Sequence, residues 1–261
     1  MTSVVYTLEG STATLTLDAP ENRNAINQAL LQGISEGLDR ASADDSVRSI
    51  VLTHTGSVFC AGADLKDHSL NDTEGGTPTT GASTANAVIR ELLTCPKPII
   101  AAVHGHVRAG GMGFVAACDF VVAGPQSTFG LTEVRIGVVA AMIAPVVLAR
   151  LGDRTAAGWL LRARTITPDE ALSAGFISHA ITDTDGSVDG TVEEILTDLR
   201  KAAPAALEAS KMLVNRHVLE LMDTREQDMV ELSQRFFGGD DAKAGMTAFL
   251  NKQHPPWVLD A

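Results

Sequence analysis

Glu133 stands in the stretch Phe129-Gly130-Leu131-Thr132-Glu133-Val134-Arg135-Ile136-Gly137, an isolated acid among largely apolar residues. A carboxyl group in that setting either makes a buried structural ion pair, with Arg135 the nearest partner, or acts as a general acid and base. Spacing alone does not choose between them. Two runs of small residues are further candidates, for binding an anion. In Phe59-Cys60-Ala61-Gly62-Ala63-Asp64-Leu65-Lys66 the small side chains let a ligand approach the backbone, and turn N–H groups outside a ladder can donate to an oxyanion. In Gly105-His106-Val107-Arg108-Ala109-Gly110-Gly111-Met112-Gly113 a helix beginning at Gly110 or Gly111 presents unpaired N–H groups and the positive end of its dipole to a phosphate or oxyanion.

The glycine run has competing readings. As a nucleotide-binding Walker loop it fails, because Gly111 and Met112 follow Gly110 where Lys and Ser or Thr are needed. As a dinucleotide fingerprint, Gly111, Gly113 and Ala116 match loosely with Glu133 downstream, but the run lies too far past its strand and Glu133 follows a turn. Close packing of a glycine-rich helix is the plain alternative. His104, His106 and Arg108 are read as hydrogen-bonded loop side chains or as ligand contacts. Cys60 is the one thiol placed near the candidate chemistry; Cys95 and Cys118 read as small core residues. Three cysteines without metal-like spacing suggest neither a disulfide framework nor a zinc site.

The elements that must position these residues follow from hydrophobic period. Val4–Leu8 and Ala13–Leu17 read as a hairpin, Asn27 as the cap of a helix carrying Leu30, Leu31, Ile34 and Leu38, and Ser49–His54 as a buried strand. Gly56–Lys66 is expected as loop, and Asp67–Ser83 as a mobile surface loop, a candidate lid over a bound ligand. A helix over about Thr84–Leu93, strands Pro98–Val103 and Phe120–Ala123, a helix Met112–Cys118 and a short stretch Thr128–Phe129 follow. Parallel strands with crossover helices are implied. Helical patterns dominate beyond Ala141, with Ile143–Leu151, Arg154–Leu161, Pro168–Ala174 and then the strand Phe176–Ile181. A boundary near residue 190 divides an α/β body, 1–190, from a helical region, 191–261, whose apolar faces call for a partner copy.

With 20 Lys and Arg against 32 Asp and Glu the chain carries a net charge of −12, which disfavours nucleic acid and anionic membranes as partners. No apolar run approaches the ~20 residues of a membrane span, and Met1–Tyr6 lacks signal or transit character, so a cytoplasmic location is expected.

Taken together, Ala61-Gly62-Ala63-Asp64-Leu65-Lys66, Gly110-Gly111 followed by Ala117-Cys118-Asp119, Phe129-Gly130 with Glu133 and Gly137, and the early Asn24-Ala25-Ile26-Asn27 resemble the crotonase superfamily, the enoyl-CoA hydratases and isomerases. Thr167–Gly175 and Gly245–Lys252 are similar to its later helices, so the resemblance spans nearly the whole chain. It implies an α/β spiral of ββα repeats with a helical C-terminal trimerisation region, assembled as a homotrimer or hexamer. It also implies an oxyanion hole from the backbone N–H groups of Ala63 and Gly110, with Glu133 as acid and base. Substrate contacts are implied for Arg23, Ala25, Ile26 and Ala61, and likewise for Asp64, Leu65 and Gly113. Lys252 resembles a lysine that reaches CoA across a subunit interface; Lys66, like Arg23, is a further candidate for the CoA phosphates. No separate cofactor or metal is implied, since coenzyme A is part of the substrate. The expected activity is hydration of a 2-enoyl-CoA; the alternatives are enoyl-CoA isomerisation and non-catalytic acyl-CoA binding.

One departure bears on mechanism. Where the familiar hydratases of this family carry a second Glu, three residues after the oxyanion glycine, this chain has Gly113. Val138–Pro145 likewise replaces the family's Pro-Gly-Gly-rich turn. Both features resemble a bacterial methylglutaconyl-CoA hydratase-like branch.

Overall fold

The computed structural model describes residues 3–65, 81–182 and 186–259, with backbone only for 81–84. Strands β1 (Val4–Glu9) and β2 (Thr12–Leu17) pair antiparallel about a Gly10 turn at φ 57°. The Asn27 side chain accepts from the Leu30 N–H at 2.9 Å and so opens helix α1 (Gln28–Ala43), whose Leu30, Leu31, Ile34 and Leu38 are buried on one face. Burial of that stripe holds the helix down; the cap contributes about 1 kcal/mol.

From β3 (Ser49–His54) onward the chain alternates between two sheets. β3, β5 (Ile99–Val103), β7 (Phe120–Ala123) and β9 (His179–Ala180) extend the hairpin as parallel strands, giving the order β1-β2-β3-β5-β7-β9. β4 (Val58–Cys60), β6 (His106–Arg108) and β8 (Thr128–Gly130) form a second, wholly parallel sheet of three strands. Each turn of chain thus lays one strand in each sheet before a crossover, with α2 (Gly81–Thr94) and α3 (Gly110–Ala117) as the next crossover helices. This is the α/β spiral with a helical C-terminal region that the resemblance implied.

Three-residue strands carry no period, so two of the small-sheet strands were missed. β4 lies inside the expected Gly56–Lys66 loop, and β6 inside the glycine run. Helix α3 begins at Gly110, one of the two starts the glycine run offered and ahead of the apolar stretch Met112–Cys118, and α2 begins at Gly81 rather than Thr84. The remainder of the expected mobile loop, residues 67–80, lies outside the described residues. β9 is only His179–Ala180, within the longer Phe176–Ile181 strand expected.

After α4 (Ala144–Leu148), α5 (Asp153–Arg162) and α6 (Pro168–Ser173), helix α7 (Val188–Leu199) covers the outer face of the large sheet through Val188, Val192, Leu196 and Leu199. The 34-residue α8 (Pro204–Phe237) is fastened by buried polar groups: Lys211 pairs with Asp119 at 2.8 Å, and Asn215 donates to the Leu93 carbonyl at 3.0 Å. α9 (Asp240–Leu250) returns to the body. Among the described residues no helix is long and apolar enough to cross a membrane.

Candidate active site

The small sheet decides where the chemistry-bearing segments go. Its strands are parallel neighbours, so the turns leaving β4, β6 and β8 emerge side by side at one edge. Those turns are Ala61-Gly62-Ala63, Ala109-Gly110 and Leu131-Thr132-Glu133. The carboxyl ends of parallel strands are the usual place for a ligand crevice.

The first turn is fixed by the segment before α1. Ala61 N–H donates to Arg23 O, Ile26 N–H to Gly62 O at 2.8 Å, and Asp64 N–H to Ile26 O at 3.0 Å. Because Ile26 bonds the residues flanking Ala63 in this parallel bridge, the Ala63 N–H is turned away from it, and Ala63 is exposed. Arg23 and Asn24 make the required bend at φ 62° and 50°. Buried Asn24 ties the bend together: its Oδ1 accepts from Ala19 N–H and its Nδ2 donates to the Thr55 and Val58 carbonyls. Asn24 was seen only as part of a substrate-contacting motif; its role in the fold is that of a clamp.

The second turn touches the first. Gly62, at φ 86°, packs so closely that a β-carbon there would lie 2.7 Å from the Ala109 β-carbon and 3.5 Å from the Gly110 nitrogen. Gly110 is the first residue of α3, so its N–H has no acceptor within the helix. Ile26, Ala63 and Gly110 therefore meet, since a β-carbon on Gly110 would strike Ile26 Cδ1 at 2.6 Å. Gly111 is pressed on Cys60 of β4, leaving no room for a side chain.

The third turn is a single 3₁₀ helix, Glu133–Ile136, closed by Gly137 at φ 75°. It is wedged against α9: a β-carbon on Gly245 would sit 2.4 Å from Ile136 O, and one on Gly137 2.5 Å from the Asp241 backbone. Glu133 is 9% exposed, and its Oε2 is buried without a hydrogen-bond partner. Burial pushes the carboxyl up to about 7, against weaker opposition from the N–H groups of Glu133 and Thr132. Arg135 is exposed, and no ion pair joins it to Glu133 among the described residues, so the structural-pair reading has no support in the geometry.

Gly113 faces an apolar wall. A β-carbon there would lie 2.6 Å from Ile143 Cγ2 and 2.8 Å from Ile89 Cδ1. The space where a second carboxylate would begin is thus filled by two isoleucines, which the sequence reading did not connect to the site. Arg108 donates to the Val107 and Thr128 carbonyls and to Thr128 Oγ1, while His106 Nδ1 lies 2.9 Å from the same hydroxyl. Both lie on β6 rather than in a loop, and their side chains tie it to Thr128 of the neighbouring β8. Buried Cys60 has its thiol pushed up to about 12, which leaves no reactive thiolate.

Arg23, Ala25, Ile26, Ala61, Ala63, Asp64 and Gly110 are therefore brought together, with Leu65 directly after them in the chain. Lys252 is not joined to this cluster by any hydrogen bond or ion pair among the described residues; it sits exposed at φ 56° just beyond α9, the helix that braces the Glu133 turn. Lys66 lies outside the described residues.

Two adjacent small-residue turns with donors at one edge of a parallel sheet, beside a neutral-range carboxyl, form an arrangement chemically able to polarise a carbonyl and move a proton. A family model described as enoyl-CoA hydratase/isomerase matches residues 7–259, and the chain belongs to that family. The crystal structure of an enoyl-CoA hydratase from Mycobacterium avium is similar at a TM-score of 0.88 with 40% identity, covering 98% of this chain and 99% of that one. A short-chain-enoyl-CoA hydratase of Clostridium acetobutylicum is 30% identical over 256 residues, covering 97% of this chain and 96% of its own. A 1,2-epoxyphenylacetyl-CoA isomerase of Escherichia coli is 28% identical over 263 residues, 99% of each.

Proposed function

We propose that the protein hydrates the double bond of a 2-enoyl-CoA thioester with Glu133 as its sole acid and base. The observation that carries this reading is the buried, partnerless Glu133 Oε2, on a carboxyl held near 7, at the edge where the Ala63 and Gly110 turns meet. The thioester oxygen takes the N–H groups of Ala63 and Gly110, which makes the β-carbon electrophilic and stabilises the enolate formed on attack. Ionised Glu133 removes a proton from water as its oxygen bonds to the β-carbon. The same carboxyl then returns that proton to the α-carbon, so the atoms of water are added and the enzyme is restored. Arg23, Ala25, Ile26, Ala61, Asp64 and Leu65 line the approach of the ester, Gly113 leaves the acyl side apolar, and Lys252 reaches the CoA of a neighbouring copy. The active form is a homotrimer or hexamer in the cytoplasm.

A second reading, isomerisation of an enoyl-CoA, is favoured by the Ile143 and Ile89 wall at Gly113, since one carboxylate suffices to carry a proton between carbons. Ultraviolet absorbance separates the two. Loss of the conjugated thioester band on addition of a 2-enoyl-CoA supports hydration. Its appearance from a 3-enoyl-CoA, with no loss from the 2-enoyl ester, supports the isomerase. No change with either overturns both.

A further inference from the structure

Ala109 is the residue between β6 and α3, and its backbone stands at φ 48° and ψ −123°. A side chain with a β-carbon is disfavoured there, and glycine is the residue that adopts such a conformation without strain. The surroundings hold it in place. Its N–H donates to Gly130 O at 2.9 Å, its carbonyl accepts from Met112 N–H at 2.9 Å, and its β-carbon is seated against Gly62, which has no room for one of its own. The next N–H in the chain is that of Gly110. We propose that Ala109 is a positioning residue: its methyl group, wedged on Gly62 in a strained turn, sets the direction and spacing of the Gly110 N–H relative to that of Ala63.

This inference rests on the oxyanion-hole reading and explains why strain persists at a position glycine would relieve. Strain of this kind survives where the packing around it overdetermines the backbone. With glycine at 109 the backbone is free to leave that geometry, and the donor ceases to be preset before substrate arrives. The methyl therefore belongs to catalysis rather than to stability.

The test compares Ala109→Gly with Ala109→Ser, which keeps the β-carbon. Ala109→Gly is expected to lower kcat on the order of tenfold with KM changed less than about twofold, and to leave the melting temperature unchanged or higher. Ala109→Ser is expected to restore kcat. Butyryl-CoA labelled with ¹³C at its carbonyl gives a readout free of turnover. Its bound C=O stretch is expected lower than in solution for the wild type and Ala109→Ser, and to move back toward the solution value in Ala109→Gly. Full kcat and an unshifted stretch in Ala109→Gly overturn the inference, as does a loss of activity that tracks a fall in melting temperature. Gly110→Pro, made alongside in an Ile26→Val background to clear the contact, separates the failures. If it too keeps full activity, the oxyanion reading itself is wrong; if it alone is inactive, only the role of Ala109 falls.

Discussion

A carboxyl held near 7 can give and take a proton with comparable ease at neutral pH, which is what a sole acid and base requires of Glu133. Raising it from 4.5 to about 7 also costs the native state about 3 kcal/mol once the pH is above both values. The sign follows from linkage. Below about 4.5 the group is protonated in native and unfolded chains alike and costs nothing; the penalty grows as pH rises and is complete above about 7. Relative to wild type, Glu133→Gln is therefore expected to gain up to about 3 kcal/mol of stability between pH 4 and pH 8, read from denaturant unfolding at both. A constant difference would show that the native carboxyl ionises normally. The same value places a rising limb near pH 7 in kcat/KM for hydration. At Gly110, removing the N–H by Gly110→Pro in the Ile26→Val background is expected to lower kcat by about 10²–10³, the worth of one oxyanion donor, with Ile26→Val alone as the control.

At the scale of elements, the site depends on what braces the turns. Gly245 of α9 lies against Ile136 O with no space for a methyl group, so Gly245→Ala must displace the turn that begins at Glu133. A loss of about 1–3 kcal/mol together with a lower kcat is expected; a thermal melt matching wild type would mean α9 moves freely of the site. On α8, Lys211→Met strands Asp119 in a site where the pair is 3% and 14% exposed, and is expected to destabilise by about 3–5 kcal/mol. Adding Asp119→Asn should recover part of that. This is also where legibility divided. The hairpin, the Asn27 cap, α1, β3 and β7 were readable because each has a full apolar period and a turn or cap beside it. β4 and β6 were not, being three residues long and defined by strand neighbours distant in sequence, each other some fifty positions apart and β8 a further stretch beyond β6. Glu133, Ala63 and Gly110 could be named in advance through the family motifs, whereas what Asn24, Ala109, Ile89 and Ile143 do could not be read there. Their parts depend on backbone angles and packing that no spacing encodes.

For the whole molecule, Met212, Leu213 and Val214 on α8, Phe249 and Leu250 on α9, and Trp257, Val258 and Leu259 beyond it are exposed large apolar residues concentrated in the C-terminal region. Trp257 is 37% exposed in the single chain. A partner copy is the expected cover, so sedimentation at micromolar concentration should give a trimer or hexamer; a monodisperse monomer would contradict it. The net charge of −12 leaves that assembly free of any general attraction to polyanions.

Assembly, strand edges and turns all serve one claim, that Glu133 carries the proton. The most direct measurement is turnover of a 2-enoyl-CoA by Glu133→Gln, followed by loss of the conjugated thioester absorbance, with CoA-ester affinity and melting temperature taken on the same preparation. The account predicts a fall in kcat of about 10²–10⁴ with affinity little changed and the fold intact. Turnover that survives in the folded variant would contradict it and leave the site without its acid and base.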